Sequence, residues 1–336
     1  MDFFTHALLP YLLGSYLGLD KRLLAALVLG GIAPDLDVSL SLINNVYPTT
    51  LLLVHRGITH TLFFGFFFAL LIFYLASQGQ IKGFLGRFMK YDLNFSLPSL
   101  AFVYAGVLMH LFVDYTTTRG APLFYPWQAA RYSADIFSQI EPIALIASLL
   151  ILAELIRERQ RIKFNKNILI IFVLFFIIMG GVRIEGKASA ESFFDGRNAG
   201  IYPDSNPFSW VVLENDSNQF LVYKYDSLMG KVTNCSAFAK ITVASSVTQA
   251  KAAMGEAEKL PLVLLFRWRA YAVAINATSQ QNGSWIIEYY DPVVRAQMAN
   301  SGPAFGPALK GYGSVWVRVE NGVARVEDRR DEGAHR

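Results

Sequence analysis

Long apolar runs broken by short polar stretches fill the first half of the chain. Spanning a bilayer core as helix takes about 20 mostly apolar residues. Six segments approach this length: roughly 3–19, 23–42, 58–77, 97–115, 140–156 and 167–183. The third and sixth are the strongest. The first, second and fifth are short or carry polar residues, so half-buried or re-entrant segments would leave five spans. Residues 1–183 are thus expected to form a multi-pass α-helical membrane domain of about six spans.

After Arg183 the pattern changes. The stretches 208–214, 219–226, 262–276, 284–291 and 314–320 are rich in β-branched and aromatic residues, as strands are. Asn321-Gly322 between two such runs signals a hairpin. Residues 248–260 read as one amphipathic helix. The expectation for 184–336 is a small β-rich or α+β soluble domain. Tyr289, Tyr290 and Trp268 could line a substrate groove there, but strand and core packing is the first reading.

Composition agrees with this division. With 53% hydrophobic residues and a mean hydropathy of +0.34, the 336-residue chain is too apolar for an ordinary soluble domain. The net charge of +4 is modest, and the basic residues fall mainly in short loops. Lys21 and Arg22, then Lys82, Arg87 and Lys90, then residues 157–166 follow alternate apolar segments. Such placement encodes membrane orientation with these loops cytoplasmic, and gives no sign of nucleic-acid binding. The first segment is expected to be a retained helix, because Asp2 precedes it and its basic pair follows it. Cys235, the one cysteine, excludes an internal disulfide and any cysteine-based zinc cluster.

Orientation also gathers the unusual polar residues on the outer side. His6 lies near the outer end of the first segment, and Asp35 and Asp37 near that of the second, where Pro34 can break the helix. His55 and His60 open the third; His110 and Asp114 close the fourth; Asp135 and Glu141 precede the fifth. His110 and Asp114 are four apart and share a helix face. His55 and His60 are five apart and converge only if His55 precedes the helix, a turn that Gly57 eases.

Imidazoles and carboxylates together suit Zn²⁺, Mn²⁺ or Fe²⁺, and more than four such donors allow one or two divalent metals, with Zn²⁺ the first choice. Two metals can clamp both oxygens of a phosphoester hydrolysis, and one lowers the pKa of its water to about 7. Arg56, Arg119 and Arg131 could pair with a substrate phosphate. Taken singly, each residue has a blander role. His6 could be a packing hydrogen-bonder, Asp35 and Asp37 helix caps, His110 and Asp114 a structural pair, and the arginines could snorkel to headgroups. Their shared depth and side favour a joint site, since ionisable groups in a membrane are costly.

The stretches FFTHALLPYLLG, APDLD, HRGITHT, HLFVDYTTTRGAPLFYP and RYSADIF together resemble the YdjM-like family of membrane-bound predicted metal-dependent hydrolases. The likeness covers about residues 1–185. It implies His6, Asp35, Asp37, His55, His60, His110 and Asp114 as the shared polar set, and suggests a distant relation to zinc-dependent phospholipase C enzymes. Glu141-Pro142 departs from the aspartate expected before that proline but keeps the charge.

The expected function is an integral membrane, metal-dependent hydrolase acting on a phosphoester or lipid-linked substrate at the outer membrane boundary. Asp135 or Glu141 would accept a proton, and Arg56 would meet the substrate's charge. The expected partners are the lipid bilayer and an amphiphilic or phosphorylated small molecule, with the C-terminal domain outside the cytoplasm. A transporter or metal-handling protein using the same cluster is the alternative; few ionisable residues in the inner halves of the segments argue against it. A scaffold whose outer domain does the work would leave so many buried charges unexplained.

Overall fold

A computed structural model describes residues 1–38, 54–85, 93–157, 166–281, 283–300 and 313–327. Arg87, Lys90 and residues 158–165, which contribute to the expected orientation, lie outside these. The chain forms two compact units: one runs through Lys187 and includes Pro203–Phe208, and the other holds Ala188–Tyr202 and the chain from Ser209 on.

The first unit is helical. Its helices are α1 (Phe3–Tyr16), α2 (Lys21–Ile32), α3 (Leu62–Ser77), α4 (Gly79–Leu85), α5 (Leu97–Thr116), α6 (Pro142–Arg157) and α7 (Lys166–Phe193). Two 3-10 turns, Pro34–Asp37 and Ile58–His60, lie between α2 and α3. Most helix starts are written locally. Asp2, Asp20, Thr61 and Ser96 cap α1, α2, α3 and α5, each side chain accepting from a backbone N–H two or three residues on. α2 packs against α1 and α5, and α3 packs against α5. Ala26, Phe73, Val103 and Val107 are among the side chains buried between them.

The expectation of about six spans is not met. Among the described residues two helices are long and apolar enough to cross a membrane, Leu97–Thr116 and Asn167–Phe193. At about 1.5 Å per residue, a 20-residue helix reaches about 30 Å, the thickness of the hydrocarbon core. α1 has 14 residues, α2 has 12, and α3 and α6 have 16 each. They reach only about 18–24 Å. Each is cut short by a local feature that hydropathy does not register. α1 gives way to a turn at Gly18 (φ +68), and α2 to the turn that opens at Pro34. α3 starts only after Thr61, in extended backbone, and α6 starts at Pro142. α7 keeps Ile170, Ile171, Ile177 and Ile178 on its surface, as a lipid-facing helix does.

The second unit is α+β. A four-stranded sheet runs β1 (Ala199–Pro203), β2 (Ser209–Asn215), β3 (Gln219–Asp226), β4 (Lys231–Ala239) in that order. A five-stranded sheet runs β5 (Ile241–Val243), β6 (Ala274–Ser279), β7 (Trp285–Tyr290), β8 (Ser314–Glu320), β9 (Val323–Glu327), with β5 parallel to β6 and the rest antiparallel. Helices α8 (Val247–Ala257) and α9 (Pro261–Arg269) bury Ala250, Met254, Val263 and Phe266 against Ile275, Ile287, Tyr289 and Val317. Helix α10 (Pro292–Asn300) places Val293 and Ala296 with Val211, Leu213 and Val222.

Asn321 (φ 50) and Gly322 (φ 75) form the expected β8–β9 turn. The run 262–276 is not one strand: its first half is α9, opened by Pro261, and only its end is β6. A short apolar run has no period that separates the two states. Tyr289 and Tyr290 are buried in these cores.

Candidate metal centre

Four stretches of the first unit converge: the start of α1, the Pro34–Asp37 turn, residues 55–60 and the last two turns of α5. Pro34 ends the α2 ladder, and the tighter turn that follows buries Asp37 and leaves Asp35 half-buried. Arg56 adopts the left-handed region (φ 59), reversing the chain between His55 and the turn that carries His60. His55 therefore precedes the helix, as convergence with His60 requires. His110 and Asp114 project from one face of α5.

Two glycines set the fourth side. α2 and α5 cross with backbones in contact: a Cβ on Gly30 would lie 1.9 Å from the Val103 carbonyl oxygen, and one on Gly106 would lie 2.2 Å from that of Leu27. This approach lets His110 Nδ1 donate to the Gly31 carbonyl at 2.7 Å. A carbonyl only accepts, so Nδ1 carries a proton, and a neutral His110 ring then turns its Nε2 lone pair inward.

Inside, His110 Nε2 is 3.2 Å from His60 Nε2. Asp35 Oδ1 lies 3.4 Å from His60 Nε2 and 3.6 Å from His110 Nε2. Asp114 Oδ2 lies 3.6 and 3.7 Å from the same two nitrogens. The two oxygens of Asp114 have different surroundings. Oδ1 accepts from the Met1 amino group at 2.6 Å and from Arg56 at 2.7 Å, and lies 3.2 Å from His6 Nε2. Oδ2 is buried and, among the described residues, has no hydrogen-bond partner.

A second layer lies behind His60. Its Nδ1 faces Asp37 Oδ2 at 3.3 Å and Thr59 Oγ1 at 3.0 Å, and Thr59 also donates to Asp37. Asp37 Oδ1 pairs with His55 Nδ1 at 2.9 Å. The His55 side chain is 29% exposed, whereas those of His60 and His110 are fully buried. The His6 ring stacks on His110 at 3.7 Å between centroids.

Burial opposes charge on His60, but Asp35 and Asp37 outweigh it and raise its pKa to about 9. Burial likewise pushes the Asp35 and Asp37 carboxyls up, yet the surrounding imidazoles, led by His60 for Asp35 and His55 for Asp37, hold both well below the usual carboxylate range.

The donor set fits a divalent metal. Bonds of about 2.1 Å in a tetrahedral site place donors about 3.4 Å apart. The five separations above run from 3.2 to 3.7 Å. A bare buried carboxylate oxygen aimed at two imidazole nitrogens lacks a partner that a cation would supply.

The remaining site residues are engaged differently. Arg56 is buried and donates to Asp114, Thr117 Oγ1 (3.1 Å) and the Thr118 carbonyl (3.3 Å). Arg131 donates to the carbonyls of Arg119 (2.6 Å), Gly120 (2.8 Å) and Arg56 (3.5 Å), tying the loop after α5 to the histidine-bearing turn. Arg119 (φ 67) is half-exposed on that loop. Asp135 pairs with Ser133, and Glu141 is sealed against Arg183 and Ser138. Thr59, the Gly31 carbonyl and the Gly30/Gly106 contact had no distinguishing mark in the sequence beyond their closeness to the histidine and aspartate motifs.

No curated protein and no solved structure matches the chain. The family model described as YdjM inner membrane protein matches residues 1–184, more than half of the 336. That stretch holds the buried His/Asp cluster and the start of both helices long and apolar enough to cross a membrane, and the chain belongs to the YdjM inner membrane protein family.

Proposed function

We propose that this protein is a metal-dependent hydrolase of the membrane, acting on a phosphoester of a lipid or lipid-linked molecule. The bare Asp114 Oδ2, facing His60 and His110, carries the reading, with Asp35 facing the same two nitrogens. The His/Asp cluster would hold one or two divalent ions, Zn²⁺ first. A bound ion would polarise a phosphoryl oxygen and acidify water. Of the two acids expected to accept a proton, Asp135 is half-exposed while Glu141 is sealed by Arg183, so the role falls to Asp135. Arg56 is committed to Asp114 and Arg131 to loop carbonyls, so neither is placed to meet a substrate phosphate.

Depth argues for an amphiphilic substrate. Asp114 and His110 lie two and six residues before the end of α5, which is about 3 and 9 Å along the axis. Phe112, between them in sequence, is 67% exposed, which suits a helix that meets lipid at the depth of the cluster. Five basic residues from Arg157 to Lys166 stand at the start of α7. By the positive-inside rule the far end of α7 and the second unit that follows it then face away from the cytoplasm.

The test is elemental mass spectrometry of detergent-purified protein beside phosphate release from a phospholipid in mixed micelles. His60→Ala and Asp114→Ala should lose the metal and more than about 100-fold in turnover, beyond the loss typical of residues that only support ligands. A well-folded wild type that binds no metal after reconstitution would exclude the reading. Bound metal with no hydrolysis of any phosphoester would point to metal handling.

A further inference from the structure

The seven clustered His and Asp residues are not equivalent, and their hydrogen bonds divide them. A neutral imidazole has one lone pair and one N–H. His110 donates through Nδ1 to Gly31, so only its Nε2 can bind a cation. His60 presents Nε2 to Asp35, His110 and Asp114, and Nδ1 to Asp37. If Nε2 takes a cation, Nδ1 must carry the proton and donate to Asp37. A second cation held by Asp37, His55 and His60 would claim that same nitrogen, although these three could otherwise converge on one.

Asp114 Oδ1 already has the Met1 amine and Arg56, and His6 lies 3.2 Å from that same oxygen, although His6, His110 and Asp114 could also converge on one cation. We infer that Asp35, His60, His110 and Asp114 seat a single divalent ion, that Asp37 and His6 are positioning residues holding His60 and Asp114, and that His55 lies outside the ligand set. This rests on the metal reading of the site. It assigns Asp37 the carboxylate place behind a ligating histidine, where partners fix ring orientation and basicity.

The experiment uses full-length protein in detergent, stripped of metal and titrated with Co²⁺. Ion content comes from elemental mass spectrometry, affinity from competition with a chelator, and ligand geometry from the visible Co²⁺ bands. One Co²⁺ per chain is expected in the wild type and in His55→Ala, with the same bands. Asp37→Asn should keep one ion and the bands at saturation but bind about 10- to 100-fold more weakly, with Asp37→Glu recovering part of the loss. His6→Gln, which retains an N–H donor, should also keep the bands.

Two ions in the wild type, with one lost in His55→Ala or Asp37→Asn, would overturn the inference and leave the metal reading standing. Altered bands in His55→Ala or in His6→Gln would overturn it as well. No Co²⁺ in folded wild type would remove the metal reading and the inference with it. Half-exposed His55 is the variant least exposed to folding failure, so it decides the matter if Asp37→Asn does not fold.

Discussion

Glu141 and Arg183 face each other with both side chains sealed from solvent, the guanidinium lying 2.9 and 3.0 Å from the two carboxylate oxygens. Arg183 also donates to the carbonyls of Asp204 (2.9 Å) and Asn206 (3.1 Å). Desolvation makes such a pair a weak net source of stability, but losing one partner strands a buried charge, at about 3–5 kcal/mol. Arg183→Met should therefore lower stability by that order, read as a lower thermal midpoint in detergent, with Co²⁺ content unchanged in the folded fraction. Glu141 was legible as an acid near an apolar segment. Its partner, 42 residues on, was not, because neither residue is marked locally as half of a pair.

Among elements, the α2–α5 crossing decides whether the cluster exists. Backbone contact at Gly30 and Gly106 leaves no room for a methyl group, and the nearest atoms are carbonyl oxygens that a rotamer change cannot move. Small residues at such crossings let helices meet closely in membranes. Gly106→Ala should push the helices apart at a cost of about 1–3 kcal/mol and weaken the His110–Gly31 hydrogen bond. Reduced Co²⁺ affinity with helix content preserved by circular dichroism is the expected result; unchanged affinity would show that the crossing can relax. Helix ends follow the same logic. Hydropathy extends an apolar segment until a charge appears, whereas the helices stop at Pro34, at extended Thr61 and at Pro142.

On the scale of the whole chain, the proposed orientation has a direct test. Cys235 is exposed and is the only cysteine in the chain. A membrane-impermeant maleimide should label it in intact spheroplasts, with no increase after permeabilisation. Labelling only after permeabilisation would place the second unit in the cytoplasm and reverse the orientation. Cys235→Ser supplies the background.

The chemistry of the cluster, the most apolar stretches, the capping residues and the Asn321-Gly322 turn were all determined by the sequence itself, since each depends on residue type and near neighbours. Tertiary structure alone decided the rest. It shortened four expected spans, turned 262–269 from strand into helix, and paired Glu141 with Arg183. It also gave Asp114 one crowded oxygen and one bare one. Those outcomes depend on partners tens of residues away, such as Arg56 and Met1 on Asp114. A pattern of hydrophobic and polar positions records which groups need a partner, while the partner and the atom it reaches are set by how the helices pack.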